Sequence, residues 1–162
     1  AQYACNMPGR DRRSRPDAFV GMVGLGCIYP QQLCLITGSS HLHCVVTAKP
    51  TTAKAAWGAY KGAPLTGTNF AEGGQSSTGS IIRWAKKLFN AEELEYSVLD
   101  DEAAAIPAGS DGLIALETFQ GSRTPVTDPL ARGALVGLTL SHTRGHIWRS
   151  HMEAVCFGTR GC

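Results

Sequence analysis

The stretch Leu35-Ile36-Thr37-Gly38-Ser39-Ser40-His41-Leu42-His43 joins two apolar arms through a tip of small residues. The arms, residues 33–36 and 42–46, combine apolar and β-branched side chains, which is typical of β-strands. The tip offers backbone N–H groups and hydroxyls with little side-chain bulk, so an anion could approach its backbone closely. Glycine and serine are equally common in ordinary hairpin turns, and the tip residues taken alone favour that simpler interpretation.

The size and composition of the chain indicate one domain. Its 162 residues are 43% hydrophobic, which is enough for a single core, and only 17% charged. Low charge together with 19 glycines predicts either a compact α/β domain with many tight turns or a piece of a larger protein. The net charge of +2 is too small to indicate nucleic-acid binding, and the basic run Arg10 to Arg15 is typical of a solvated tail.

The cysteines and the hydropathy pattern bear on the cellular compartment. None of the six cysteines forms a C-x-x-C pair, so a zinc site has weak support. Cys34 and Cys44 lie in apolar runs and are expected to be buried free thiols, although the even count leaves disulfides open. We find no membrane-spanning run and no apolar signal-peptide region. These features favour a reduced, cytoplasmic protein without a membrane partner.

The first helix is expected to begin at Pro16, which fits the first turn of a helix. Residues 17–25 are apolar almost throughout, and they predict a short buried helix that Gly26 ends. Asp17 is the only acid in this helix. Its carboxylate has two interpretations, a cap at the positive helix end or a general base facing a cleft, and the pattern alone favours the cap.

The middle of the chain predicts a strand, a loop and a helix. Residues 56–60 are short and aromatic, as in a third strand, and residues 62–70 are expected to form a loop. A glycine- and hydroxyl-rich entry, residues 72–80, leads into residues 81–89, whose apolar positions Ile81, Trp84, Ala85 and Leu88 follow the spacing of an amphipathic helix. The entry could hold a phosphate at the helix N-terminus or pack tightly on a neighbour, and we favour the second alternative.

The remaining elements are predicted from charge and turn residues. Residues 91–105 are acidic and alanine-rich, which indicates one or two surface helices with a solvated face rather than a metal site. Residues 107–111 form a turn before a strand over 112–116, and Asp128 is a candidate cap for a helical turn opened by Pro129. The last helix is expected to begin near Ser141, pass Cys156 and end at the glycines of residues 158 and 161.

Several motifs, in the correct order, resemble the C-terminal half of FGGY-family carbohydrate kinases over roughly residues 16–160. Residues 133–138 with residues 146–153 resemble the second family signature, except that His151 stands where the family favours a small or aliphatic residue. Residues 123–125 and 128–133 resemble the segment R-x-P…D-P-x-A-R-G. The sequence Glu72-Gly73-Gly74-Gln75-Ser76 resembles the ribulokinase-like branch, which acts on pentuloses.

This resemblance implies an α/β fold, the actin-like, ribonuclease H-like ATPase domain, present here as an incomplete C-terminal domain. It also implies phosphoryl transfer from Mg-ATP to a sugar or polyol hydroxyl. By the same resemblance, Asp17 matches the catalytic aspartate that takes the hydroxyl proton, and the run Gly38-Ser39-Ser40 matches the phosphate loop. Gly79 resembles a glycine whose backbone lies against the nucleotide. Arg83 follows one turn later, where some members carry Gln.

The family features that this chain lacks shape the expected activity. A family member is much longer, with a sugar-binding first half that carries an Asp-x-Gly-Thr loop, and with a glycine-rich adenosine motif after the point where this chain stops. Residues 1–15 match nothing and are interpreted as an irregular, foreign or scrambled leader before a domain over residues 16–162. Phosphoryl transfer needs both walls of a cleft.

Two hypotheses follow from these absences. The first is a fragment of a pentulose or polyol kinase that is inactive alone and needs the missing N-terminal half. The second is a non-catalytic remnant that binds another protein or forms a homodimer.

Overall fold

A computed structural model of the chain describes residues 17–51, 56 and 58–162. In this part of the chain the helices are α1 (Asp17–Gly24), α2 (Gly79–Leu88), α3 (Tyr96–Ala104) and α4 (Arg144–Gly161), and a 3-10 turn covers Ser110–Gly112. The strands are β1 (Leu33–Thr37), β2 (His41–Thr47), β3 (Gly58–Lys61), β4 (Asn69–Gln75), β5 (Ile114–Leu116) and β6 (Ala134–Val136). The basic run Arg10 to Arg15 and the predicted leader lie outside the described residues.

The predicted hairpin of β1 and β2 is confirmed. Thr37 pairs with His41, so Gly38, Ser39 and Ser40 form the tip. One face of the hairpin packs into a first core, whose buried members are Met22, Cys34, Cys44, Val46 and Phe70. The two thiols are therefore buried as predicted, and burial raises the pKa of Cys44 to about 12. Such a thiol stays protonated at neutral pH and contributes as a small apolar group.

A four-stranded antiparallel sheet contains the hairpin, with the strand order β1-β2-β4-β3. β3 confirms the predicted third strand, although Trp57 lies outside the described residues. The expectation that residues 62–70 are a loop and residues 72–80 a helix entry is wrong for Asn69–Gln75, which form β4. Glycines have low β-propensity, but β4 is stabilised by hydrogen bonds to β2 on one side and to β3 on the other.

The two glycines of β4 are explained by close contacts. At Gly74, φ is +155°, and a Cβ there would overlap the carbonyl oxygen of His41. At Gly73, a Cβ would press against the Thr124 side chain at 3.2 Å. Glycine inside a strand often marks such a close approach. The glycines that hid this strand from sequence reasoning are therefore part of how the strand packs.

Helix α1 is confirmed, but it is not buried as predicted. Met22 is its one buried residue, whereas Val20 is 57% exposed and Leu25, just after the helix, is 71% exposed. The helix covers the hairpin with one side, and Gly21 lies beside Ile36. The apolar residues on its other side have no cover among the described residues.

A second core lies between α2, α3 and α4, with the buried members Ala85, Ala91, Leu99, Ala103 and Trp148. Trp148 donates from Nε1 to Asp100 Oδ1 at 2.9 Å, so the polar atom of the buried indole is paired. The other acids of α3 are Asp101, which faces solvent as predicted, and Glu102, which pairs with Arg144. Among the described residues, no group of three or more His, Cys, Asp or Glu side chains could hold a metal ion.

The predicted apolar stripe of α2 is correct for two of its four residues. Ile81 and Ala85 are buried, while Trp84 and Leu88 are 42% and 55% exposed. Lys86 is buried instead, with its ammonium group 4.2 Å from the centre of the Tyr96 ring. This cation–π contact explains how the helix tolerates a lysine on its inner face.

His151 also departs from expectation, because it fills a core position with an aromatic ring. It is 1% exposed, and its ring lies 6.0 Å from that of Trp84 and 5.8 Å from that of Phe119. Nδ1 donates to the Ile147 carbonyl at 2.7 Å, whereas Nε2 is buried without a partner among the described residues. Burial lowers the pKa of His151, so the ring is neutral and packs as an aromatic group.

The C-terminal elements differ from the predictions mainly at their ends. β5 lies within the predicted strand, and β6, which was not predicted, pairs with it. α4 begins at Arg144 rather than near Ser141, because the Thr143 N–H donates to His146 Nδ1 at 3.1 Å and fixes the helix start there. The helix continues through Gly158 to Gly161.

Asp128 caps the turn opened by Pro129, as expected: its Oδ1 accepts the Leu130 N–H at 2.8 Å and its carbonyl accepts the Ala131 N–H at 3.4 Å, although no helix continues from this turn. None of the helices in the described part of the chain combines the length and the apolar character that a membrane span needs.

Candidate functional site

The hairpin tip is docked on the N-terminus of α2. The Gly38 carbonyl accepts the Gly79 N–H at 3.1 Å, and the Ser39 carbonyl accepts the N–H groups of Thr78 and Ser80 at 2.9 and 3.1 Å. Two hydroxyls add to this contact: Ser80 Oγ donates to the Ser39 carbonyl at 2.9 Å, and Thr78 Oγ1 donates to that of Gly38 at 3.3 Å. These bonds use the first backbone donors of the helix, which otherwise lack partners.

Docking decides between the two interpretations of the helix entry. Because hairpin carbonyls occupy the N–H groups of Thr78, Gly79 and Ser80, these groups are not free for a phosphate. The alternative of tight packing on a neighbour is therefore favoured. Gly79 permits this approach, since a Cβ at residue 79 would overlap the carbonyl oxygen of Gly38.

On the side of the tip that faces away from α2, hydrogen-bond donors have no partner among the described residues. Inside the tip, the Gly38 N–H donates to the Ser40 carbonyl at 3.0 Å. The N–H groups and hydroxyls of Ser39 and Ser40 make no hydrogen bond to any described residue, and Gly38 and Ser39 are exposed. In a trans peptide the N–H points opposite to the C=O. The carbonyls of Gly38 and Ser39 point toward α2, so the N–H groups of Ser39 and Ser40 point away from it, toward solvent.

The predicted site residues fall into two groups. The structure brings Gly38 and Ser39 directly against Gly79 and its neighbours Thr78 and Ser80, although some forty residues of sequence separate them, and Ser40 belongs to the same tip. Arg83 lies one turn further along α2, and its side chain is exposed. Hence five of the six predicted residues lie on the tip or on the helix that supports it.

Asp17 is placed separately, as the first residue of α1. It is exposed, and its carboxylate accepts no hydrogen bond from the described residues. Helix α1 packs on the same hairpin through Met22, which shares a buried core with Cys34 and Cys44. A carboxylate at this position faces the positive end of the helix dipole, and its exposure leaves it accessible to a substrate hydroxyl.

Residues that support the tip were missed by the sequence reasoning. Thr78 and Ser80 were noted only as part of a hydroxyl-rich entry, and Thr159 on α4 was not singled out. Thr159 Oγ1 lies 3.1 Å from Nδ1 of His41, the residue that follows the tip. Small residues such as Gly79 and Ser80 at the beginning of an amphipathic pattern indicate a helix start. No local pattern indicates which loop this helix start contacts.

Comparison with known proteins identifies relatives that share most of these helices and strands. Residues 33–162 match the family described as the FGGY family of carbohydrate kinases, C-terminal domain. A ribulokinase from Shouchella clausii is 28% identical over 154 residues, covering 89% of this chain and 28% of the relative. Asp17 precedes the matched residues of the family, so its catalytic role and the boundary predicted at residue 16 stay predictions.

Solved structures give the same result for the fold. A xylulose kinase from Rhodospirillum rubrum is 33% identical, with a TM-score of 0.78 over 88% of this chain and 28% of its own. A gluconate kinase from Lactobacillus acidophilus is 26% identical, with a TM-score of 0.77 over 90% of this chain and 30% of its own. The chain thus spans somewhat over a quarter of the length of these relatives. It has the mixed helix-and-sheet architecture of part of an actin-like ATPase C-terminal domain, as predicted, and it belongs to the FGGY family of carbohydrate kinases.

Proposed function

We propose that this chain supplies one wall of the active site of an ATP-dependent carbohydrate kinase, which transfers a phosphoryl group to a hydroxyl of a pentulose or polyol. The observation that carries this proposal is the hairpin tip, whose carbonyls are fixed on α2 while the N–H groups and hydroxyls of Ser39 and Ser40 have no partner among the described residues. Backbone donors grouped in this way suit phosphate oxygens. The similarity to a ribulokinase and a xylulose kinase supports a pentulose as the substrate.

Each site residue has a role in this proposal. Ser39 and Ser40 would hold phosphate oxygens of ATP through their N–H groups and hydroxyls, and Gly79 would keep the helix backbone close to them. Asp17 would accept the proton of the attacking hydroxyl. Arg83 is exposed on the same helix as Gly79 and would contribute positive charge near the nucleotide.

In this proposal the tip binds phosphate oxygens, and the magnesium ion would be carried by the nucleotide rather than by the tip. Mg²⁺ typically keeps several waters and binds through one or two carboxylates plus substrate phosphates, so the lack of a three-ligand cluster among the described residues does not conflict with it. When bound, the ion would neutralise charge on the phosphate oxygens. Asp17, at the start of the helix that packs on the hairpin, would be a candidate to contact its water shell.

The 162-residue chain alone is expected to bind phosphate weakly and to show no sugar-dependent ATP turnover. Phosphoryl transfer depends on positioning and charge stabilisation from both sides of a cleft, and this chain spans 28% of the length of the ribulokinase relative. A coupled assay of ADP formation across pentuloses and polyols measures turnover. Binding is measured separately, by the amide signals of a ¹⁵N-labelled chain during a titration with Mg-ATP.

In that titration we expect the amide signals of Gly38, Ser39, Ser40 and Gly79 to shift. Ser39→Ala removes a free hydroxyl and leaves the docking carbonyl, so it should weaken binding about three- to tenfold, the usual worth of one hydrogen bond. Ser97→Ala, on the exposed face of α3, is the matched control and should bind like the original chain. Tip signals that do not respond to millimolar Mg-ATP would contradict the proposal.

A second candidate function is self-association, which a specific surface favours. Residues 18–48 contain no Asp, Glu, Lys or Arg, and β1, whose Cys34 faces the core, exposes Leu33 and Leu35 on its opposite face. The outer edge of β1 is also unpaired among the described residues. Large exposed apolar patches and open strand edges are typical of contact surfaces. In this proposal the chain is a remnant that forms a homodimer through this charge-free surface.

Light scattering at several concentrations tests the homodimer. We expect the mass of a dimer in the micromolar range for the original chain and that of a monomer for Leu35→Lys, because a buried, unpaired charge would weaken the contact at least about tenfold. Leu130→Lys is the control, since Leu130 is 77% exposed in a loop outside this surface; it should remain a dimer. A constant monomer mass for the original chain would rule out this function.

A further inference from the structure

A chain of polar side chains connects the end of α4 to the residue that follows the hairpin tip. His41 Nδ1 lies 3.1 Å from Thr159 Oγ1, which in turn lies 2.7 Å from Gln75 Oε1 and 2.9 Å from the Val155 carbonyl. Gln75 Nε2 donates to the same Val155 carbonyl at 3.0 Å. The side chain of Gln75 is nearly buried, with 2% of the residue exposed. These contacts therefore cross from β2 through β4 to α4 inside the protein.

The donor and acceptor of each hydrogen bond in this network follow from the number of polar hydrogens that its side chains carry. Gln75 donates through Nε2, so its Oε1 is an acceptor, and the Val155 carbonyl is an acceptor as well. The one hydroxyl proton of Thr159 must go to one of these two oxygens. The Thr159 oxygen can then only accept from His41. His41 is thereby held as the tautomer that carries its proton on Nδ1, and burial, which lowers its pKa, favours the neutral ring.

Glu117 and Gly158 complete this network. The Gln75 amide also bonds the Glu117 carboxylate, which opposes the rise that burial causes in the pKa of Glu117. Gly158 lies inside α4, where glycine is unfavourable by roughly 1 kcal/mol relative to alanine. A Cβ there would overlap both Gln75 and Glu117. The glycine therefore provides the space in which the two polar side chains meet.

The network gives the tip a second anchor. On one side, the carbonyls of Gly38 and Ser39 are fixed by α2; on the other, the next residue after Ser40 is fixed by Thr159 of α4. We propose that Thr159 and Gln75 are positioning residues, which orient the Ser39 and Ser40 donors by holding His41 in one tautomer. This inference deepens the proposed function and rests on it only where phosphate binding is concerned.

Thr159→Val tests the proposal, because valine keeps the shape of threonine and removes the hydroxyl. Thr159→Ser retains the hydroxyl and is the matched control. The tautomer of His41 is determined from the ring nitrogen shifts of the ¹⁵N-labelled chain, with His41→Gln used to assign its signals. The amide signals of Ser39 and Ser40 report the tip, and tripolyphosphate serves as the phosphate probe.

In the original chain and in Thr159→Ser, we expect the proton of His41 on Nδ1. In Thr159→Val, we expect a mixture of tautomers, shifted Ser39 and Ser40 signals, and affinity for tripolyphosphate lower by about three- to tenfold, as for one lost hydrogen bond. An Nε2-protonated His41 in the original chain would overturn the proposal, even if Thr159→Val failed to fold. Unchanged tip signals in a folded Thr159→Val would overturn it too.

The two proposals fail in different ways. Should tripolyphosphate leave the tip of the original chain unaffected, the proposed function would be contradicted. The tautomer and the tip signals would still decide whether Thr159 and Gln75 position the hairpin.

Discussion

Asp17→Asn should lower phosphoryl transfer by a factor of about 10²–10⁴, the usual contribution of a general base, in a protein that joins this chain to the sugar-binding portion and the adenosine motif of a ribulokinase. An amide has nearly the shape of a carboxylate but cannot accept the proton of the attacking hydroxyl. The substrate hydroxyl would then have to lose its proton to water. The rate is measured as sugar-dependent ADP formation in a coupled assay.

The same substitution separates the two interpretations of Asp17. Asparagine caps a helix about as well as aspartate, so a residue that served only as a cap would give unchanged turnover in Asp17→Asn. Asp101→Asn, which changes an exposed aspartate on α3, is the control for the loss of one negative charge and should keep full activity. Circular dichroism and urea unfolding should be the same for all three proteins, which would assign any loss of rate to the chemistry.

Gly79→Ala should destabilise the chain by about 2–3 kcal/mol, within the range for overpacking a tight contact. Alanine is the better helix former by roughly 1 kcal/mol, so helix propensity alone predicts the opposite sign. Steric overlap decides the sign, because the obstacle at residue 79 is the backbone carbonyl of Gly38, which cannot rotate away. The hairpin tip would have to leave the N-terminus of α2 and lose the bonds made there.

Urea unfolding of Gly79→Ala and of Gly24→Ala measures this effect. Gly24 ends α1, and a Cβ there would meet no atom within 4 Å, so Gly24→Ala should be as stable as the original chain or slightly more stable. Because the Ser39 and Ser40 donors are oriented by the docked carbonyls, Gly79→Ala should also lose the response of the tip signals to Mg-ATP. Equal stability of Gly79→Ala and the original chain would show that the hairpin does not dock as described.

The sequence predicted the elements whose signals are local. The hairpin, α2 and α4 follow from apolar periodicity and turn residues, and the family resemblance identified the fold. β4 could not be predicted, because Gly73 and Gly74 weaken the strand signal and the strand is stabilised by its neighbours β2 and β3. α1 was predicted correctly as a helix but wrongly as buried, since an apolar sequence does not specify what covers it.

The candidate site was predictable only where its residues give a local sequence signal. The small residues of the tip and the glycine at position 79 stand out in the sequence, but the family resemblance, not the local pattern, identified them as nucleotide-binding candidates. Their mutual contact depends on residues forty positions apart, and the support from Thr159 on residues more than a hundred apart. Such contacts depend on the tertiary arrangement, so no local sequence pattern indicates them.

The docking of the tip on α2 has an electrical consequence. The Gly38 carbonyl and the Ser39 N–H belong to one peptide unit, and the Ser39 carbonyl and the Ser40 N–H belong to the next. Hydrogen bonds to a carbonyl polarise its peptide and make the attached N–H a stronger donor. The positive pole of α2 is therefore not lost when the hairpin covers it. Polarisation of the two peptide groups extends its effect to the outer surface of the tip. An anion bound there would be stabilised by the helix dipole without contacting the helix.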